Sequence, residues 1–266
     1  MTVRVPIRSN ILTWAIERAG YAVEPFLAGR PDAAKWMSGD KEPTLRQLEQ
    51  FAKRLHVPFG YLLLEEPPEE PPVLPFFRTT GVDARIPPEV RDAINIVKQR
   101  QEWLSDYLKN HDHEPLPFVA RTPESSSPIE LAATMRELLG YATGAPIATG
   151  TAAATLRELA ERLERIGVQV TFSGVVGNNN KRPIPVEACR GFVLLDAYAP
   201  FIFVNNQDAK AAQLFTLVHE FAHVLVGQEG IFDLADLLLA SAPTERLCDA
   251  AAAEFLVPAK LLRDKF

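Results

Sequence analysis

His219-Glu220-Phe221-Ala222-His223 is the stretch whose residue types and spacing could do chemistry. On a helix of about 3.6 residues per turn, two histidines four apart project one above the other. At that separation two imidazoles can share one tetrahedral zinc, with Glu220 beside them to hold a bound water. The plainer alternative is the polar side of an amphipathic helix. Leu214, Leu217, Val218, Phe221 and Leu225 make one apolar stripe, and the two histidines lie opposite it, towards solvent. Only five histidines occur in the chain, so the pattern is fairly specific, but a histidine pair still needs a third protein ligand.

The place to look is downstream, in "TERLCDAAAAEFLVP", which offers Glu245 and Glu254. In helical projection Glu245, Asp249, Ala252 and Leu256 share a side while Glu254 points nearly the other way, which selects Glu245. Asp249, one turn on, can accept the free ring N–H of a ligating histidine and fix its tautomer. Taken alone, Glu245 is only a favourable charge in the first turn of a helix begun by Pro243. The layout with a third histidine six residues past the second fails, because Val226 and Glu229 stand at the required glycine and histidine positions. His56, His111 and His113 lie far upstream, and Cys248 reads as a small buried residue. The set predicts Zn2+-dependent peptide hydrolysis: the metal acidifies its water and polarises the scissile carbonyl, and Glu220 takes the proton and passes it to the leaving amine. Tyr198 is the nearby candidate for a second oxyanion donor. The strand "PFIFVNN" ahead of the helix is either an edge that binds substrate by strand addition or a buried core strand.

These residues need a scaffold, and 266 residues with 47% apolar and 23% charged side chains allow one large domain or two smaller ones. A net charge of -6 argues against non-specific coating of nucleic acid, so any DNA contact is confined to part of the chain. The start has no long apolar segment and no later run approaches a membrane span, which predicts a cytoplasmic protein with no membrane partner. Two cysteines, Cys189 and Cys248, give no disulfide framework. The stretch "EEPPEEPPVLP" marks a linker over 65–80, since prolines block helix continuation and carboxylates repel one another. Residues 1–64 before it read as short helices, "NILTWAIERAG" and "TLRQLEQFAKRLH" among them, with Thr44 capping the latter. After it come a helical connector over 81–127, two amphipathic helices, strand-like "VQVTF", "GFVLLD" and "PFIFVNN", and two final helices. Gly177 to Asn180 mark a turn or loop between the first two strands.

"LFTLVHEFAHVLVG" with "ERLCDAAAAEFLVP", "PFIFVNNQDAKAAQ" and "LPFFRTT" resembles the ImmA/IrrE family of bacterial metallo-endopeptidases. The resemblance is specific over residues 201–258. It implies an α+β, mostly helical fold: a small helix-turn-helix-like domain over 1–64 and a zincin-like metallopeptidase domain with a small sheet over 128–266. It also implies zinc ligands His219, His223 and Glu245 with Glu220 as base, the same set that helical geometry selects. The implied substrate is a repressor of the helix-turn-helix type, cleaved to switch on mobile-element or stress-response genes. Ala222 stands at the family's usual glycine, and relatives often continue past "LVPAKLLRDKF", so a missing C-terminal part of the substrate cleft is expected.

"PDAAKWMSGDKEPTLRQLEQFAKRLHVPFGYLLL" resembles the second half of a repressor helix-turn-helix. Its recognition segment offers Lys35 and, just ahead, Arg30 as DNA contacts, but also Asp32, which would repel a phosphate. Nine Lys/Arg against six Asp/Glu over residues 1–64 give +3, in contrast to the acidic remainder. DNA binding there and docking to a protein partner or a second copy, as a homodimer, both stay open. Two rival readings stand beside the peptidase. One is a DNA-binding regulator or toxin–antitoxin component whose metal domain only senses or supports; the other is a helical scaffold without zinc.

Overall fold

The computed structural model describes residues 4–68, 86–142, 145, 147, 150–227, 230–232 and 243–260. The linker from residue 69 onward, "LPFFRTT", Glu229 and the last six residues lie outside them. The chain divides into two compact units, Met1–Val73 with Asp83–Pro88, and Leu74–Val82 with Glu89–Phe266. The architecture is α+β and mostly helical, with a small sheet.

The first unit holds α1 (Ser9–Arg18), α2 (Val23–Ala28), α3 (Pro31–Met37), α4 (Leu45–Leu55) and a 3-10 turn, Phe59–Leu63. Ile11, Leu12, Ala15 and Ile16 from α1 meet Phe26, Trp36, Leu48, Phe51 and Leu55 in one core. Leu45 is 42% exposed, because it is the first residue of α4 and precedes the packed turn. Thr44 caps α4 reciprocally: its hydroxyl accepts from Gln47 N–H (3.2 Å), and the Gln47 carboxamide oxygen accepts from Thr44 N–H (2.9 Å).

The second unit begins with α5 (Pro88–Asn110), α6 (Pro128–Leu138) and α7 (Ala152–Arg165). Then come β1 (Gln169–Ser173), β2 (Val175–Val176), β3 (Asn179–Pro183), β4 (Gly191–Leu194), β5 (Phe201–Asn205), α8 (Lys210–Val226), β6 (Gly230–Phe232) and α9 (Pro243–Leu256). The main sheet runs β1-β5-β4-β6, with β1 parallel to β5 and the other pairs antiparallel. The stretch "PFIFVNN" is therefore an interior strand, buried at all five residues, and not an edge for strand addition. Of the turn or loop expected at Gly177–Asn180, the structure has the turn, a tight hairpin. Gly177 and Asn178 both take positive φ, as a type I′ hairpin turn requires, and Asn179 already belongs to β3.

Alternation along the strands assigns the two faces of the sheet. Ile202 and Val204 of β5, Val193 of β4 and Val170 of β1 point into the core shared with α8. Phe192 and Phe203 stack on the other face, their ring centres 4.7 Å apart. There α5 is tied down: Gln101 Nε2 donates to the carbonyls of Leu194 (2.7 Å) and Ala199 (3.1 Å), and the Ser105 hydroxyl meets Asp196 at 2.9 Å.

Gly191 sets how closely α8 approaches the sheet. A Cβ built there would lie 2.4 Å from Thr216 Cγ2 and 2.8 Å from the Phe203 carbonyl oxygen, both closer than real contacts allow. Gly191→Ala is expected to lower stability by about 1–3 kcal/mol through overpacking. Chemical denaturation of the two proteins checks this; equal midpoints would mean that α8 does not rest on Gly191.

Candidate metal centre

The helix that carries the histidines is tied at both ends to segments outside it. At its start Ala209 supplies no side-chain cap, and Gln213 Nε2 instead donates back to the carbonyls of Asn206 (3.0 Å) and Asp208 (2.6 Å). At its end Gly227 turns left-handed, with φ +90°. The segment ahead of α6 takes up two last-turn carbonyls, Ala120 N–H donating to Val224 O and Thr122 N–H to Leu225 O, each 2.9 Å. A Cβ on Gly227 would sit 2.6 Å from that of Ala120, so the close crossing also needs the glycine.

The polar side of α8 does not face water. His219 and Glu220 are 1% exposed and His223 2%, beside Leu217, Val218, Phe221 and Leu225 at 0–1%. The expected apolar stripe is present, but α9 packs across the opposite side, so the helix is buried all round. The reading of a solvent-facing polar stripe is thereby overturned: helical periodicity locates the polar side of α8 but not what covers it.

Three side chains converge in that interior. His219 Nε2 and His223 Nε2 are 3.0 Å apart. The Glu245 carboxylate straddles them, Oε2 3.4 Å from His219 Nε2 and Oε1 3.4 Å from His223 Nε2. Ligands held tetrahedrally at about 2.0–2.2 Å from a zinc ion are spaced by about 3.3–3.6 Å, so the cluster has the size of such a site. Behind it, Asp249 Oδ1 is 2.9 Å from His219 Nδ1. That contact favours the tautomer with its proton on Nδ1 and leaves the Nε2 lone pair directed into the cluster. Glu254 lies away from the cluster and accepts from Ala259 N–H (3.0 Å). Cys248 is fully buried and its thiol pKa is pushed up by burial and by the neighbouring carboxylates, so it stays a packed thiol.

Tyr198 is not brought to this cluster. It lies on the turn between β4 and β5, where its ring takes the Lys109 ammonium of α5 at 5.3 Å. That is the sheet face opposite α8, since α5 and α8 pack on different faces. Gly191, which the sequence reading did not single out, is near instead: a Cβ there would be 3.3 Å from Glu220 Oε1. The available signal was a glycine opening an otherwise bulky strand, which marks close approach of another group.

The electrostatics of the cluster suit a cation. Neither carboxylate oxygen of Glu220 has a hydrogen-bond partner among the described residues, although both are buried. Burial pushes its pKa up to about 8; Glu245 adds to that and His219 opposes it. For His219 burial works against the charged form, but Asp249, Glu245 and Glu220 outweigh it and raise the pKa to about 9. Burial lowers the pKa of His223. Burial likewise opposes ionisation of Glu245, yet its contacts with the two histidines prevail and pull its pKa down. Glu220, Glu245 and the two imidazoles thus have opposed proton preferences, and a divalent cation would compensate the same charges from one point. The donor set, two imidazoles and one carboxylate, is that of catalytic zinc sites, and these residues fit the ion.

Two helices, α8 and α9, thus bring His219, His223 and Glu245 together beside the buried carboxylate of Glu220, a set that could hold a metal ion. Residues 163–266 match the family model of the IrrE N-terminal-like domain, Peptidase_M78, a span that takes in every residue of the cluster. No curated protein matches the chain. Among the described residues no helix is long and apolar enough to cross a membrane.

The purified protein is expected to bind one equivalent of zinc, and His223→Ala to lose it. Asp249→Ala is expected to keep the stoichiometry but weaken affinity about 10–100-fold, the usual cost of removing a histidine's supporting carboxylate. Competition against a chromogenic chelator measures both; unchanged affinity in Asp249→Ala would remove the orienting role.

Proposed function

We infer that the chain is a zinc-dependent endopeptidase that cleaves a regulatory protein, and that the substrate is a transcriptional repressor of the helix-turn-helix type. The observation that carries the reading is Glu220, a buried carboxylate with no partner among the described residues, beside His219, His223 and Glu245. His219, His223 and Glu245 hold the ion, and Asp249 orients His219. The metal, when bound, supplies Lewis-acid polarisation of the scissile carbonyl and acidification of water. Glu220 accepts the proton of the attacking water at a carboxylate oxygen and returns it to the leaving amine nitrogen. No nucleophilic side chain is needed, and the buried thiol of Cys248 offers none.

The assignment of a repressor substrate rests on the family likeness of residues 163–266 and on the resemblance of the first unit to repressor domains. We place the division of the chain at the Pro/Glu-rich linker over 65–80. Residues 1–64 form a helix-turn-helix-like domain, 81–127 a helical connector and 128–266 the metallopeptidase domain.

Incubation of zinc-loaded protein with repressors encoded beside it tests the reading. Wild type is expected to give a defined cut. Glu220→Gln is expected to cut about 10²–10⁴-fold more slowly while binding zinc normally, because only proton transfer is lost. Identical behaviour of the two proteins towards every repressor would sink the peptidase assignment.

A further inference from the structure

The first unit contains a cleft that the peptidase reading leaves unused. It lies between α3 and α4, has a volume of about 310 Å³, and is lined by Arg30, Asp32, Trp36, Gln47, Phe51 and Arg54 among others. Trp36 and Phe51 form its apolar part, their rings edge to face with centres 5.6 Å apart.

Gln50 and Asp32 apart, the polar side chains around it offer mainly donors. Arg54 is exposed and forms no ion pair among the described residues. The carboxamide oxygen of Gln47 is already taken by Thr44 N–H, so what Gln47 has left to offer is its NH₂ group. Arg30 is set in place by stacking on Phe26, with Cζ 3.9 Å from the ring centre, and by donation from Nη1 to the Phe26 carbonyl (3.1 Å). Arg30 Nε and the indole N–H of Trp36 are buried without a hydrogen-bond partner among the described residues, and Trp36 as a whole is 7% exposed. The one acid at the rim, Asp32, is engaged by Lys41 Nζ at 3.0 Å. A donor-lined concavity with an aromatic wall selects an acceptor: an anionic group attached to a flat apolar body. A duplex backbone, which is convex and carries no apolar face outward, would use the arginines and leave Trp36 and Phe51 idle.

We propose that the cleft between α3 and α4 binds a small planar organic anion, its acidic group held by Arg54 and Gln47 and its ring packed against Trp36 and Phe51. The first unit is then a receptor for a small molecule.

Benzoate is the probe, titrated into the full-length protein while the indole N–H signals of Trp14, Trp36 and Trp103 are followed by NMR, with Trp36→Phe giving the assignment. Benzoate is expected to shift the Trp36 signal saturably and to leave that of Trp103 in place. Neutral benzamide and the Arg54→Gln variant are each expected to bind at least about tenfold more weakly, the loss of one charge-assisted contact. The proposal is overturned if benzoate does not move Trp36 at millimolar concentration, or if benzamide binds equally well. It is also overturned if inorganic phosphate and duplex DNA move Trp36 where benzoate does not, which would make the cleft a seat for backbone phosphate.

Discussion

Burial of the polar side of α8 is the constraint on which the rest of the second unit depends. An ionised carboxylate taken out of water without partners costs several kcal/mol, and Glu220, Glu245 and Asp249 are gathered in one place. The cluster is tolerable only because two imidazoles lie between them and because a cation can complete the charge. That requirement fixes where α9 must lie: close enough for Glu245 to span both histidines, with Asp249 one turn behind. Ala251 and Ala252, both fully buried, give α9 the small surface such an approach needs.

The surrounding elements keep this arrangement from relaxing. On one side the sheet supports α8, and Gly191 removes the side chain that would hold it off. On the other, Arg136 of α6, 3% exposed, donates to the carbonyls of Ala142 (3.0 Å), Ala145 (2.8 Å) and Phe255, tying α6 to the end of α9. Burial lowers the pKa of Arg136, but its backbone acceptors keep the guanidinium in place. The helices that carry His219, His223 and Glu245 are thus fixed through their backbones, and these side chains inherit their positions.

In the first unit the same physics restrains the DNA-contact expectation. Lys35 is exposed on α3, but Arg30 is folded onto Phe26 and Asp32 is paired with Lys41. Part of the charge excess of residues 1–64 is thus tied into contacts within the unit. Part of it lines a concave cleft instead, and charge counting cannot tell a convex surface from a concave one.

Much of the fold was legible because it rests on local rules. Strands at "VQVTF", "GFVLLD" and "PFIFVNN" follow from β-branched and aromatic runs, and the start of α4 follows from Thr44 as its cap. Spacing within a helix likewise placed His219 with His223 and Glu245 with Asp249, since residues four apart share a face whatever the surroundings. What the sequence could not supply was the relation between elements. Periodicity could not tell that the side opposite the apolar stripe of α8 is covered, that "PFIFVNN" lies inside the sheet, or that Tyr198 is on the far face. Those facts depend on contacts between residues far apart in the chain, in which packing and the partnering of buried charge decide, and no local pattern encodes them.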